Sequence, residues 1–244
     1  MLFRSGTGVA GWVLLRLPET LRPEFKQEIM PLSIVRNMVE AAVNRQAFGY
    51  VFGGALTFGA LFGYVNSSQQ LVGEHFAAGE WFPLIFGGTA LCMAVASFFN
   101  SRIVERFGAR RVSHAALLAY IGISLVQIAL ASREHEVLWQ FMPAMALNMC
   151  MAGFIGANFG SISLQPFERT AGAASSVQAF LRMVIGAVLG IVIGQAFDGT
   201  AMPLARAFLI CGVVSLLLVL FSEKGRLFRR LNPPGTPRPV MELH

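Results

Sequence analysis

Six long, unbroken apolar stretches dominate the chain, and they limit its possible folds more than any other feature. They run approximately from Ala47 to Val65, Phe82 to Asn100, Ser113 to Ala131, Leu138 to Ser161, Ala174 to Phe197 and Ala201 to Phe221. Crossing the roughly 30 Å hydrocarbon layer takes about 20 mostly apolar residues in a helix, and each stretch is of that order. Their apolar character is continuous instead of alternating, which selects helices over the strands of a barrel. Only 13% of the 244 residues are charged. Soluble domains carry about a quarter, so this chain could not cover a water-facing surface. A soluble enzyme, a disordered regulator and a secreted disulfide scaffold are excluded, and the expected class is all-α integral membrane with six transmembrane helices.

Loop charge sets the orientation, because Lys and Arg concentrate in short cytoplasmic loops. Arg16, Arg22, Lys26, Arg36 and Arg45 precede the first span, and Arg102, Arg106, Arg110 and Arg111 follow the second. Arg169 falls in the next loop on that side, and Lys224, Arg226, Arg229, Arg230 and Arg238 follow the last span. The opposite loops hold Glu74, His75, Glu80, Arg133, Glu134, His135, Glu136 and Asp198. Both the N-terminal linker and the C-terminus are therefore expected in the cytoplasm. The net charge of +6 follows from topology, which removes the main argument for a nucleic-acid partner.

Four regions follow. Residues 1–16 read as the end of a truncated preceding transmembrane helix. Residues 17–46 read as a cytoplasmic linker with an amphipathic helix, in which Leu32, Val35, Val39 and Ala42 oppose Ser33, Arg36, Asn37, Glu40 and Asn44. That segment serves equally as a lead-in to the first span. Residues 47–222 form the six-helix bundle, and residues 223–244 a cytoplasmic tail, unstructured across its prolines from Asn232 to Glu242.

No catalytic constellation is legible. An intramembrane serine protease needs a Gly-x-Ser-Gly-like turn and an embedded His. Gly160-Ser161-Ile162-Ser163 lacks the second Gly, while His75, His114, His135 and His244 fall in loops, span ends or the tail. Neither the histidines nor Cys92, Cys150 and Cys211 have metal-ligand spacing. The chain reads as a non-enzyme, without metal or cofactor.

The spans carry two kinds of pattern. Gly186, Gly190 and Gly194 form GxxxGxxxG in the fifth span, and Gly49/Gly53 and Gly59/Gly63 repeat the spacing in the first. Such stripes serve close static packing or sliding of helices. Arg182 stands eight residues past Ala174, roughly 12 Å into the layer, on one face with Ser175, Gln178 and Gly186. A charge there faces a cavity or interface, or snorkels to the membrane surface. Tyr50, Thr57 and Tyr64 recur every seven residues in the first span, and Asn148 and Asn158 lie in the fourth, as substrate contacts or interhelical bonds. No Asp or Glu lies within any span, so an embedded proton carrier is not evident.

The residues also resemble a known family. Leu17-Pro18-Glu19-Thr20-Leu21 and the basic linker look like the middle of a major facilitator superfamily transporter entering its C-terminal half. Glu105, Arg106, Gly108, Arg110 and Arg111 are similar to that superfamily's cytoplasmic loop signature, with Ser101 in place of its leading Gly. The run from Ala171 to Gln178, continued through Gly186 and Gly190 to Gly194 and Thr200, resembles the eleventh helix of the Bcr/CflA, or bicyclomycin-resistance, branch of drug:proton antiporters. The resemblance implies a twelve-helix protein of a bacterial inner membrane that exports small amphipathic drugs against protons. Within it, this chain corresponds to the last six helices. Its first and fourth spans would line the cavity, and its second and fifth would meet an N-terminal six-helix half that carries the coupling acid. On that reading the partners are membrane lipid, drugs and the other half, and Tyr50, Thr57, Tyr64, Asn148, Asn158, Gln178 and Arg182 are the cavity candidates. A homodimeric carrier and an intramembrane enzyme are the alternatives.

Overall fold

A computed structural model describes residues 12, 16, 39, 43–133, 135–167 and 170–228. The chain divides into two units, residues 1–35 and 36–244. Of the first, only Trp12 and Arg16 are described, both helical. The rest of the preceding-helix remnant, most of the amphipathic linker, Glu134, Arg169 and the proline-rich tail lie outside the described residues.

Among its described residues the second unit holds six long helices. These are α1 (Arg45–Gln70), α2 (Phe82–Phe107), α3 (Ala109–Ala131), α4 (Leu138–Leu164), α5 (Ala171–Gln195) and α6 (Met202–Ser222). All six are long and apolar enough to cross a membrane. Several outrun the apolar stretches that announced them, because helices stop at backbone signals and not where hydropathy falls. α2 carries Arg102, Glu105 and Arg106 for a further turn or two and ends only at Gly108, whose φ of +86° no helix accepts. α1 begins when the Asn44 side chain accepts hydrogen bonds from the amides of Gln46 and Ala47. It ends in a π turn over Leu71–His75, where the Phe76 amide bonds back to the Leu71 carbonyl.

α1 and α4 are central. α1 packs chiefly on α5 and α6 and also on α4, while α4 packs on α3, α1 and α2, and α3 meets α6. Exchanging α1–α3 with α4–α6 therefore maps each principal contact onto another or onto itself. Successive spans alternate in direction, so the two triplets are inverted with respect to each other.

Glycine makes the tightest of these contacts. A methyl group on Gly59 would stand 2.7 Å from Leu189, and one on Gly63 2.5 Å from Ile193. In return α5 receives Phe58 against Gly186, Phe62 against Gly190 and Asn66 against Gly194. The other α1 stripe faces α6, where Gly49 lies beneath the Leu218 carbonyl and Gly53 beneath the Ser215 hydroxyl. In lipid, where no hydrophobic force drives helices together, such close approach is what holds them. The Ser222 hydroxyl adds a polar lock, donating to the Arg45 carbonyl at 2.7 Å and accepting from the Gly49 amide at 2.8 Å.

Candidate functional site

A cavity of about 420 Å³ opens between α1, α2, α4 and α5. Its polar lining comes from Tyr50 and Thr57 on α1, Ser97 on α2, Ser163 on α4, and Ser175, Gln178 and Arg182 on α5. Small residues, Gly153, Gly156 and Gly160 on α4 and Gly54 on α1, leave the room. Ser163 and Gln178 are paired reciprocally: the serine hydroxyl donates to Oε1 at 2.7 Å, and Nε2 donates to the serine carbonyl at 3.1 Å. Arg182 holds its guanidinium 5.5 Å from the Phe58 ring centroid. No carboxylate lines the cavity, so Arg182 is the one formal charge among its described residues.

Of the residues singled out in the sequence, Tyr50, Thr57, Gln178 and Arg182 meet in this cavity. Tyr64, Asn148 and Asn158 do not. Tyr64 is buried and stacks on Phe86 of α2 with centroids 6.2 Å apart. The Asn148 amide faces α3, donating to Ser124 at 3.1 Å and to Gln127. Asn158 donates to Asn100 of α2 at 2.9 Å. All three sit in helix contacts, where polar groups bridge spans. Ser161 is exposed, and both His75 and His114 bond elsewhere, so neither histidine pairs with it. Among the described residues no group of three or more His, Cys, Asp or Glu converges as a metal site.

One wall of the cavity leads to a charged cluster that sequence reading missed. Tyr50 lines the cavity and donates from its hydroxyl to Glu223 at 2.6 Å. Arg110, 7% exposed, donates through Nε to the same carboxylate at 2.8 Å and through Nη1 to Gln165 at 2.9 Å. His114 Nε2 lies 3.0 Å from the Tyr50 hydroxyl, while Nδ1 accepts the Phe228 amide at 3.1 Å. Because Nδ1 accepts, the ring is neutral with its hydrogen on Nε2. The hydrogens therefore point one way, from His114 to Tyr50 to Glu223. Burial pushes the Glu223 carboxyl up, but the Tyr50 hydroxyl and the Arg110 guanidinium outweigh it and hold it below the ordinary glutamate range.

In the loop signature, Glu105 and Arg106 occupy the last turn of α2, Gly108 the break, and Arg110 and Arg111 the first turn of α3. Arg111 Nε donates to the Phe228 carbonyl at 3.2 Å, so both arginines hold the segment that follows α6. The sequence assigned Glu223 to the tail. The available signal was an acid directly after an apolar run, on the same membrane face as a pair of arginines.

Comparison with known proteins fits this architecture. Over 228 residues the chain is 26% identical to the bicyclomycin resistance protein homolog of Haemophilus influenzae, a match covering 92% of this chain. The chain is a relative of a bicyclomycin resistance protein homolog. It spans about half the length of that relative, 56%. With six apolar helices and this kinship, it is a multi-pass membrane protein. No protein-family profile matches the chain, and no solved structure matches it.

Proposed function

We propose that the chain acts as the C-terminal half of a major facilitator superfamily multidrug transporter of the bicyclomycin-resistance type, exporting small amphipathic compounds by proton antiport across a bacterial inner membrane. The cavity carries this reading. α1 and α4, exchanged by the inverted contact pattern, supply most of its wall, and it opens between α2 and α5. Such a site between inverted repeats is the arrangement that alternating access requires.

α2 and α5 flank the mouth and are poorly covered. Within the bundle α2 buries only Thr89 and Asn100, and Arg182 sits exposed on the α5 rim. A polar stripe with a cation is costly against lipid, which favours a protein partner over bilayer at that face. An N-terminal six-helix half is the partner proposed, and it supplies the coupling acid that these spans lack. Arg182 cannot take that role, since a guanidinium does not deprotonate in a protein.

The test is reconstitution. In liposomes with an imposed proton gradient, the 244-residue chain alone is expected to give no drug-dependent proton flux, and co-expression with a matching N-terminal half is expected to produce it. Robust drug-coupled proton flux from the chain alone would overturn the half-transporter reading and favour a homodimeric carrier.

A further inference from the structure

The bundle holds a histidine near each end, His114 buried and His75 partly buried, and their partners impose opposite proton counts. At one end the neutral ring of His114 accepts the Phe228 amide on Nδ1. At the other, His75 faces acceptors with both nitrogens: Nδ1 lies 2.8 Å from the Gly199 carbonyl, and Nε2 lies 2.6 Å from Glu136 Oε2. A carbonyl oxygen only accepts, so Nδ1 must carry hydrogen. The remaining contact then needs a hydrogen on Nε2 or on the carboxyl. We infer that His75 and Glu136 together bind one exchangeable proton, and that this proton clasps the end of α1 to the segment before α4 and the segment before α6.

The surroundings make the proton indispensable. The His75 and Glu136 side chains are 18% and 7% exposed, and Glu136 Oε1 is buried with no hydrogen-bond partner among the described residues. Without the proton, a lone pair of the imidazole would face a carboxylate oxygen at 2.6 Å. The clasp therefore holds while the proton is bound and opens when it is removed. His75 ends the π turn of α1, and the Phe76 ring abuts it at 4.5 Å and reaches Phe141 of α4 at 5.9 Å, so release is transmitted to a central helix. Other charged groups on these elements are Glu74 and Glu80 after α1, Arg133 and His135 beside Glu136, Asp198 beside Gly199, and Arg206 on α6. Arg133 is engaged by Gln140, and the Thr200 hydroxyl holds the Asp198 carboxyl below the usual range. Neither supplies the missing hydrogen. On the orientation read from loop charge this end is external, so the site would register external acidity; that meaning rests on the proposed function, while the proton count does not.

The test needs no transport. Hydrogen exchange of the purified 244-residue chain is followed in detergent from pH 5.5 to 8.5, corrected for intrinsic rates, across the range where histidine ordinarily changes charge. Amides near residues 72–78 and 198–202 should lose about tenfold protection as pH rises, the weight of one charge-assisted hydrogen bond, while the interior of α1 does not change. In Glu136→Gln the side-chain amide donates to a neutral His75, so protection should no longer depend on pH. His75→Gln should also remove the pH dependence, which keeps the inference testable if one variant folds poorly. Wild-type protection that does not vary with pH would overturn it, as would a dependence that persists in both variants and so belongs to His135 or the neighbouring carboxylates.

Discussion

Arg110 and Glu223 stand 113 residues apart in sequence and meet at 2.8 Å, joining the first turn of α3 to the residue after α6. Their side chains are only 8% and 10% exposed. Breaking a buried pair strands a charge, and Glu223→Gln should destabilise the bundle by about 3 kcal/mol, read as a lowered Tm in detergent. A double change to Arg110→Met and Glu223→Leu should recover much of that loss.

Acid should mimic the first of those variants. The Glu223 carboxyl titrates below its ordinary value, so its contribution is complete above the unfolded value of about 4.3 and disappears as pH falls through the lower folded value. Wild-type Tm should drop more steeply than that of Glu223→Gln below about pH 4. Parallel curves would mean that this pair contributes nothing to acid sensitivity.

Packing at the α1–α5 contact leaves no space for a methyl group. Gly63→Ala would place Cβ 2.5 Å from Ile193, whereas Gly122 of α3 has nothing within 4 Å. The first substitution should cost about 1–3 kcal/mol by overpacking, and Gly122→Ala should be neutral or stabilising by about 0.5–1 kcal/mol. Denaturation of the two variants in one micelle system makes the comparison.

Arg182 separates cavity from scaffold. In a complete transporter, Arg182→Leu should lower drug efflux about tenfold, the worth of one charged hydrogen bond, with membrane abundance unchanged. Arg182→Lys should retain part of the activity. Efflux unaffected by Arg182→Leu would make the residue a snorkelling side chain.

Asn148 is the counterpart. Its amide is spent on Ser124 and Gln127 and lies away from the cavity, so Asn148→Ala should cost about 0.6 kcal/mol of stability and leave the drug profile unchanged. A changed drug spectrum with normal stability would return Asn148 to the cavity.

Single cysteines report the orientation, once Cys92, Cys150 and Cys211 are replaced. A cysteine at Gly79 should react with an impermeant thiol reagent outside intact cells, and cysteines at Arg106 and Lys224 should not. Labelling at Arg106 from outside would invert the topology.

How far the sequence could be read depended on range. Apolar continuity made the six spans visible, and helical spacing put Ser175, Gln178 and Arg182 on one face, because both are local properties. Asn148 and Asn158 looked equally suited to a cavity. Which way each amide points depends on the rotation of α4 against α2 and α3, and no local pattern encodes that rotation. Arg110 looked like a topology charge, His114 like a span end and Glu223 like part of the tail, since Arg110 and Glu223 meet across 113 residues and His114 reaches Tyr50 across 64. Glu136 and His75 were hidden for the same reason, read as loop polarity when they are bonded across 61 residues.

α2 touches the bundle mainly through α4, by the Asn100–Asn158 bond and the contact of Met93 with Gly153, and is joined to α3 through Gly108 alone. During synthesis α2 enters the bilayer well before α4 exists. It must therefore survive largely unpacked, with its Leu- and Phe-rich sides dissolved in lipid and the Asn100 amide waiting for a partner. Biogenesis is accordingly ordered: α1 and α2 wait, α4 docks them, and a defect in α4 should first appear as loss of a correctly inserted but undocked α2 to membrane proteolysis.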